Sequence, residues 1–251
     1  MSGHSHWATI KRQKGAADAK RGQLFSKLSR AIIIAARLGG GDPEANLKLR
    51  YAIEKAREAS MPKENIERAI KKGTGELEGE TIEEATYEGY GPGGVAILVE
   101  CTTDNRNRSS SEIRKIFERG GGKMGSQGSV AWMFERKGMI VVPAAAVDED
   151  QLLEVALDAG ADDLKRTGSN YEITCDPTRF QRVQEALKAK KIPITNAEIT
   201  QVAKNPVDVD PETAHKVLKL MEALDEHDDV QNVYSSMNIR EEILAEVAAR
   251  G

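Results

Sequence analysis

Aromatic side chains are scarce, 4% of 251 residues. That is too few for the rows of rings on which single-strand-binding proteins stack successive bases. Only two cysteines occur, Cys101 and Cys175, far apart and each inside an apolar, strand-like run. The pattern suits buried free thiols in a reducing compartment. No run of eighteen apolar residues exists, so no membrane span is expected. The opening residues are polar and basic with no apolar stretch, unlike a secretory signal, and a cytoplasmic location is expected. A basic, acid-poor start also suits an organelle transit segment. Here it runs directly into a helical pattern and is read as part of the fold.

Acid is almost missing from the first forty residues. Residues 1–37 carry Lys11, Arg12, Lys14, Lys20, Arg21, Lys27, Arg30 and Arg37 against Asp18 alone, or +7 in a chain of net charge -4. Extended to residue 73, sixteen basic and seven acidic residues give +9, and the remainder carries -13. Such segregation points to an extended polyanion as partner. The other bulk values, 39% hydrophobic and 30% charged, are ordinary for a globular protein, and the length allows two or three domains.

Apolar periodicity predicts a helix over 18–38, with Leu24, Leu28, Ala31, Ile32 and Ala35 on one face. Lys20, Lys27, Arg30 and Arg37 form a stripe beside that face. Asp42-Pro43 reads as an N-cap and first helical position for a second helix reaching about Ala59, with Leu49, Ala52, Ile53 and Ala56 inward. Pro62 opens a third helix carrying Ile66, Ala69 and Ile70, with Gly73 just past its end. Strands follow at 85–90 and 95–103 around the turn Gly91-Pro92-Gly93-Gly94, then a helix at 109–119 and a strand at 130–135. From Met139 the order is βαββαβ, that of ferredoxin-like domains. A helix at 211–224 and a strand at 230–235 have no partners of their own, so they complete the layer begun by 85–135. The expected fold is α+β: an N-terminal three-helix domain plus two ferredoxin-like α/β domains, one inserted in the other. The expected boundaries are 1–78 for the basic helical domain with its extended arm, and 79–136 with 204–239 for the discontinuous α/β domain. The insert takes 137–203 and the C-terminal tail 240–251.

Candidate binding residues follow the charge. His4, His6, Trp7, Lys11, Arg12 and Lys14 lie on an expected exposed arm, where cations would meet phosphates and the indole would stack. The alternative is a solvated tail with Trp7 tucked against the helices. Lys20, Arg21, Lys27, Arg30 and Arg37 extend the same charge. Arg106 and Arg108 sit where a strand gives way to a helix, a place that favours anions. An ordinary capped helix, with Asn107 or Ser109 as N-cap, fits the same residues, and both readings stay open.

Other constellations carry less. Ser2-Gly3-His4 would chelate Cu(II) or Ni(II) once Met1 is removed, as any peptide with His third does, so no metal is assigned. The glycine-rich stretch 120–129 fails as a phosphate loop: Met124 stands where Ser or Thr would bind Mg²⁺, and the loop leads from helix to strand. It is expected to be a flexible loop able to lie close to RNA or protein. Ser109, Ser110, Ser111 and His215 form no recognisable hydrolase motif. Glu83-Glu84 and Asp225-Glu226-His227-Asp228-Asp229 read as solvated charge at element ends, with a carboxylate-rich metal site as the minor alternative. No catalytic residue, cofactor or small-molecule substrate is expected, so the chain is not read as an enzyme.

Several motifs in order resemble the YebC family across about 1–239: Gly3-His4-Ser5-His6-Trp7, Lys20-Arg21-Gly22, Gly40-Gly41-Asp42-Pro43, the run 61–70 from Met61 to Ile70, the run 87–94 from Tyr87 to Gly94, Thr103-Asp104-Asn105-Arg106-Asn107-Arg108 and Gly128-Ser129-Val130. One departure is His6, where the family commonly has Lys, which removes a fixed charge from the arm. The resemblance implies a helical N-terminal domain and two α/β domains. It implies either a DNA-binding transcriptional regulator or a translation factor. Mitochondrial relatives activate translation of a cytochrome oxidase subunit, and bacterial members are linked to the ribosome at proline-rich stretches. Readers of DNA sequence present Asn, Gln and Arg from a recognition helix, often as dimers. The first helices here hold Lys and Arg with almost no Asn or Gln. Ribosomal or transfer RNA is therefore favoured as partner, with DNA as the alternative and a monomer expected.

Overall fold

The computed structural model describes residues 18–78 and 81–238. The arm residues His4, His6, Trp7, Lys11, Arg12 and Lys14, the side chain of Lys20 and the tail 240–251 lie outside the described residues. The fold is α+β, with a helical N-terminal part followed by two sheet-bearing parts. Contacts group the described residues into two compact units: 18–131 with His215–Val233, and Trp132–Ala214 with 234–238. The division into 1–78, 79–136 with 204–239, and 137–203 stays our proposal for the domains. What the contacts add is that the helical part and the first sheet share one unit.

In that unit α1 (Asp18–Gly39) lies against α2 (Leu47–Glu58) and α3 (Lys63–Thr74). Ile32 to Ala36, five consecutive residues, are all buried, so the middle of α1 is enclosed on every side, while Leu24 at the expected core face is exposed. This stretch packs on α2 and α3 and shares its apolar cluster with Met61 and Ile82, while the earlier part of the helix meets the 225–229 segment through Gln23, Lys27 and Arg30. The cap of α2 also differs from expectation. Asn46 holds it, its Oδ1 accepting from Leu49 N at 3.1 Å while its Nδ2 donates to Ala35 and Gly40 carbonyls. Asp42-Pro43 forms the turn before it. Gly73 lies inside α3, not beyond it, and Gly75 at φ 84° ends the helix. A Cβ on Gly73 would meet the Ile33 carbonyl oxygen at 2.5 Å, so glycine here is what lets α1 and α3 approach.

The sheet of this unit runs β3-β1-β2-β9, built from β1 (Glu83–Tyr90), β2 (Ala96–Thr103), β3 (Lys123–Met124) and β9 (Val230–Ser235). The hairpin closes as expected, with Tyr90 opposite Ala96 and Gly91 N donating to Val95 O at 2.8 Å. Helix α4 (Arg106–Arg119) follows β2, and α7 (Pro211–Asp225) precedes β9. Ile97, Ile113, Phe117, Leu220 and Met221 are fully buried and form its apolar interior.

The second unit has the βαββαβ order: β4 (Phe134–Pro143), α5 (Glu149–Ala159), β5 (Asp163–Thr167), β6 (Asn170–Cys175), α6 (Phe180–Ala189) and β7 (Asn196–Ala203). The antiparallel sheet runs β5-β6-β4-β7, the ferredoxin-like arrangement. A short parallel pair, β8 (Val207–Asp208) with β10 (Met237–Asn238), lies beside it in sequence. Of the expected strand 130–135 only Phe134 and Glu135 are strand, and they run on through the one expected from Met139 as the single strand β4, while Ala131–Met133 is a 3-10 turn. Gly138 does not interrupt it; a Cβ there would meet Phe180 at 2.6 Å, so the glycine admits a ring to the sheet. Among the described residues no helix is long and apolar enough to cross a membrane.

Candidate nucleic-acid interface

A dense polar cluster is centred on Asp229, in the turn between α7 and β9. Its side chain is 2% exposed. Oδ1 accepts from Arg30 at 2.7 Å. Oδ2 accepts from Ser109 Oγ at 2.6 Å, Arg108 at 2.9 Å and Thr103 Oγ1 at 3.2 Å. Burial would raise this carboxyl, but hydrogen bonds from Ser109, Arg108 and Arg30 outweigh it and lower the pKa to about 2. Asp229 and Asp104 together raise the Arg108 guanidinium above its ordinary value.

The backbone around Asp229 is also engaged. Lys27 donates to the carbonyl of Asp225, the last residue of α7, where a cation meets the negative end of the helix dipole. Arg30 also donates to the Asp228 carbonyl at 3.0 Å. Gln23 reaches the Glu226 carbonyl at 2.5 Å and Asp228 Oδ1 at 3.0 Å. His227 Nε2 lies 2.9 Å from Glu112 Oε2, and its Nδ1 accepts from Asp229 N at 3.1 Å.

This geometry corrects the reading of 225–229 as solvated end charge. The segment is a dock for α1 and α4, and the basic stripe on α1 is partly spent inside the protein. Lys27 is buried at 8% exposure and Arg30 is half-buried. Of the other expected residues on α1, Arg21 is exposed. Arg37 is exposed too and gives one donor to the Ile82 carbonyl at 2.5 Å. Arg106 pairs with Glu83 at 2.9 Å and donates to the Glu84 carbonyl. Glu84 also pairs with Lys48 at 2.6 Å, so Glu83-Glu84 is a surface ion-pair site.

The start of α4 is capped by neither expected residue. Asn105 is the N-cap, accepting from Arg108 N at 3.1 Å, and Thr103 Oγ1 takes Asn105 N at 2.9 Å. Ser109 is fully buried and faces Asp229 and Thr103, with no histidine on its hydroxyl, so it has no nucleophile geometry.

The glycine-rich stretch is not a free loop either. Glu88, buried on β1, accepts from Gly128, Val130 and Ala131 amides, each at 2.7 Å. Burial would raise the Glu88 carboxyl, yet these three amides lower it. A concavity of amides that could hold a phosphate is filled by the protein's own carboxylate. Cys101 and Cys175 are buried, and burial pushes their thiols up to about 12 and about 11. They are inert at neutral pH. Among the described residues no three His, Cys, Asp or Glu side chains gather as metal ligands.

Exposed positive charge is found where it was not singled out. Lys55, Arg57, Arg68, Lys71 and Lys72 are exposed on α2 and α3. They contribute to the +9 of residues 1–73, though none is among the expected binding residues. These two helices carry exposed cations and few amide side chains: α2 has no Asn or Gln, and α3 has Asn65 alone.

A helical N-terminal part carrying exposed cations, joined to two sheet-bearing parts, defines a non-membrane-helix α+β architecture with no catalytic constellation in view among the described residues. The chain belongs to the TACO1/YebC family: residues 5–76 match the TACO1/YebC protein N-terminal domain and residues 82–237 the TACO1/YebC second and third domain. It is 58% identical over 245 residues to a probable transcriptional regulatory protein of Dictyoglomus turgidum, covering 97% of this chain and 98% of that one. A probable transcriptional regulatory protein of Rubrobacter xylanophilus is 54% identical over 249 residues, covering 99% and 100%. The crystal structure of the conserved hypothetical protein Aq1575 from Aquifex aeolicus matches with TM-score 0.79 and 54% identity, over 90% of this chain and 94% of that one. The family descriptions name regulatory proteins and no enzyme class.

Proposed function

We propose that this chain is a nucleic-acid-binding regulator of gene expression that works on the ribosome, contacting ribosomal or transfer RNA and assisting peptide-bond formation at proline-rich stretches. The observation that carries the proposal is the segregation of charge: +9 over residues 1–73 against -13 over the rest. The relatives' naming as probable transcriptional regulatory proteins supports the broader reading. The ribosomal detail rests on the family resemblance and on side-chain chemistry. Gln23, the single amide side chain of α1, is committed to the 226–228 segment, and Asn46 is committed to capping α2. The lysines and arginines left exposed on α2 and α3 contact phosphates well and read base edges poorly. The arm with His4, His6, Trp7, Lys11, Arg12 and Lys14 adds further cations and one indole. In this proposal the chain acts as a monomer in the cytoplasm.

Sedimentation of ribosomes with the full chain tests it. The chain is expected in ribosomal fractions at low salt and progressively less as salt rises, because released counterions drive such binding. Absence from those fractions at every salt, together with tight binding to one promoter sequence over competitor DNA, would transfer the function to transcription.

A further inference from the structure

Helix α5 turns Leu152, Ala156 and Ala159 into the core of the second unit and leaves Leu153 and Leu157 outward, 37% and 50% exposed. Residues four apart lie one above the other on a helix, so the two leucines form a short apolar stripe. Asp150, Glu154 and Asp158, also four apart and all exposed, form a second stripe beside it. No ion pair engages these three carboxylates among the described residues; Arg182 donates only to the Asp158 backbone carbonyl, at 3.1 Å. Nothing in the unit's own packing accounts for the acidic row. Like charges four apart destabilise a helix, and Asp158 stands in the last turn, where a cation is favoured. Between 138 and 164 the chain holds seven acidic residues and no Lys or Arg. The other four are used within the unit: Asp148 caps α5, Glu149 accepts from Tyr171, and Asp162 and Asp163 pair with Lys137 and Lys165. The field of the free row repels a nucleic-acid strand and a second copy of the same helix alike, and it attracts a cationic partner.

We infer that α5 is a docking face for a protein helix that lays an apolar stripe on Leu153 and Leu157 and sets a row of Lys or Arg against Asp150, Glu154 and Asp158. The leucines supply the apolar burial, while the charged row fixes the partner's orientation and rejects acidic helices. The inference does not depend on the nucleic-acid reading above. It gives the second unit a basic protein partner, distinct from the polyanion proposed for the N-terminal segment.

The probe is a labelled synthetic helix with leucine on one face and lysine beside it, titrated with the full chain by fluorescence anisotropy. A matched peptide carries glutamate in place of lysine. The lysine peptide is expected to bind and the glutamate peptide to stay free. Leu153→Ser with Leu157→Ser is expected to weaken binding about ten-fold or more. Glu154→Lys with Asp158→Lys is expected to weaken it as well and to flatten its salt dependence. All four side chains are exposed, so both variants should unfold at the parent's temperature. Glu54→Lys with Glu118→Lys makes the same charge change on α2 and α4 and is expected to leave binding nearly unchanged. Binding unaltered in the leucine variant, or weakened equally by the two charge reversals, would overturn the inference. Tighter binding after Trp7→Ala with Ile10→Ala would overturn it by assigning the face to the chain's own arm. A dimer of the parent that the leucine variant abolishes would overturn it in favour of a second copy.

Discussion

Asp229 illustrates how one carboxylate can organise a surface. It takes hydrogen bonds from Arg30 on α1 and from Arg108 and Ser109 on α4, tying a helix of the N-terminal part to the sheet-bearing part of the same unit. Replacing it by Asn leaves the Arg30 guanidinium without its counter-charge and Arg108 with Asp104 alone. Both are partly hydrated, so the expected cost is about 2–3 kcal/mol, below that of a fully buried pair. Chemical denaturation of Asp229→Asn against the unaltered chain measures it. The pH dependence follows from the lowered pKa. The stabilisation is complete above the ordinary aspartate value and is lost as pH falls from about 4 toward the folded value of about 2. Acid unfolding of Asp229→Asn should show a smaller fall across that window. Glu88 acts in the same way on the 128–131 segment. Glu88→Gln turns an NH₂ toward amides that need an acceptor. It should cost about 1–3 kcal/mol and raise hydrogen exchange at Gly128, Val130 and Ala131.

At the scale of elements, the close pass of α1 over α3 depends on Gly73. Gly73→Ala improves helix propensity by up to ~1 kcal/mol but drives a methyl into the Ile33 carbonyl. Net destabilisation of about 1–3 kcal/mol is expected in thermal or denaturant unfolding. A net gain in stability would show that the two helices separate freely. The helices themselves were legible because their apolar periodicity is local. The βαββαβ order was legible for the same reason. Less legible was anything set by partners distant in the chain. Asn46 rather than Asp42 caps α2 because its amide also reaches the carbonyls of Ala35 on the preceding helix and of Gly40 just past its end. β4 runs through Gly138 because Phe180 fills the space over it. The acidic run 225–229 reads as end charge until Arg30, about two hundred residues earlier, is seen on it. The charge count marks residues 1–73 as the basic segment of the chain. It could not tell Lys27, buried against α7, from Arg68, Lys71 and Lys72, which stay exposed.

For the whole molecule, the sharper account is that its positive charge has two uses. Lys27, Arg30 and Arg108 hold the fold together, while the exposed cations of α2 and α3, with the N-terminal arm, are proposed to meet RNA. The direct measurement is equilibrium binding of the full chain to ribosomal RNA over a series of salt concentrations, compared with a variant carrying Arg68→Gln, Lys71→Gln and Lys72→Gln. These three side chains are exposed, so the variant should unfold at the same temperature as its parent. Its log–log salt slope should be shallower by about 2, since each lost contact removes about 0.7. Equal slopes and equal affinities for the two chains would contradict the assignment of RNA binding to these helices.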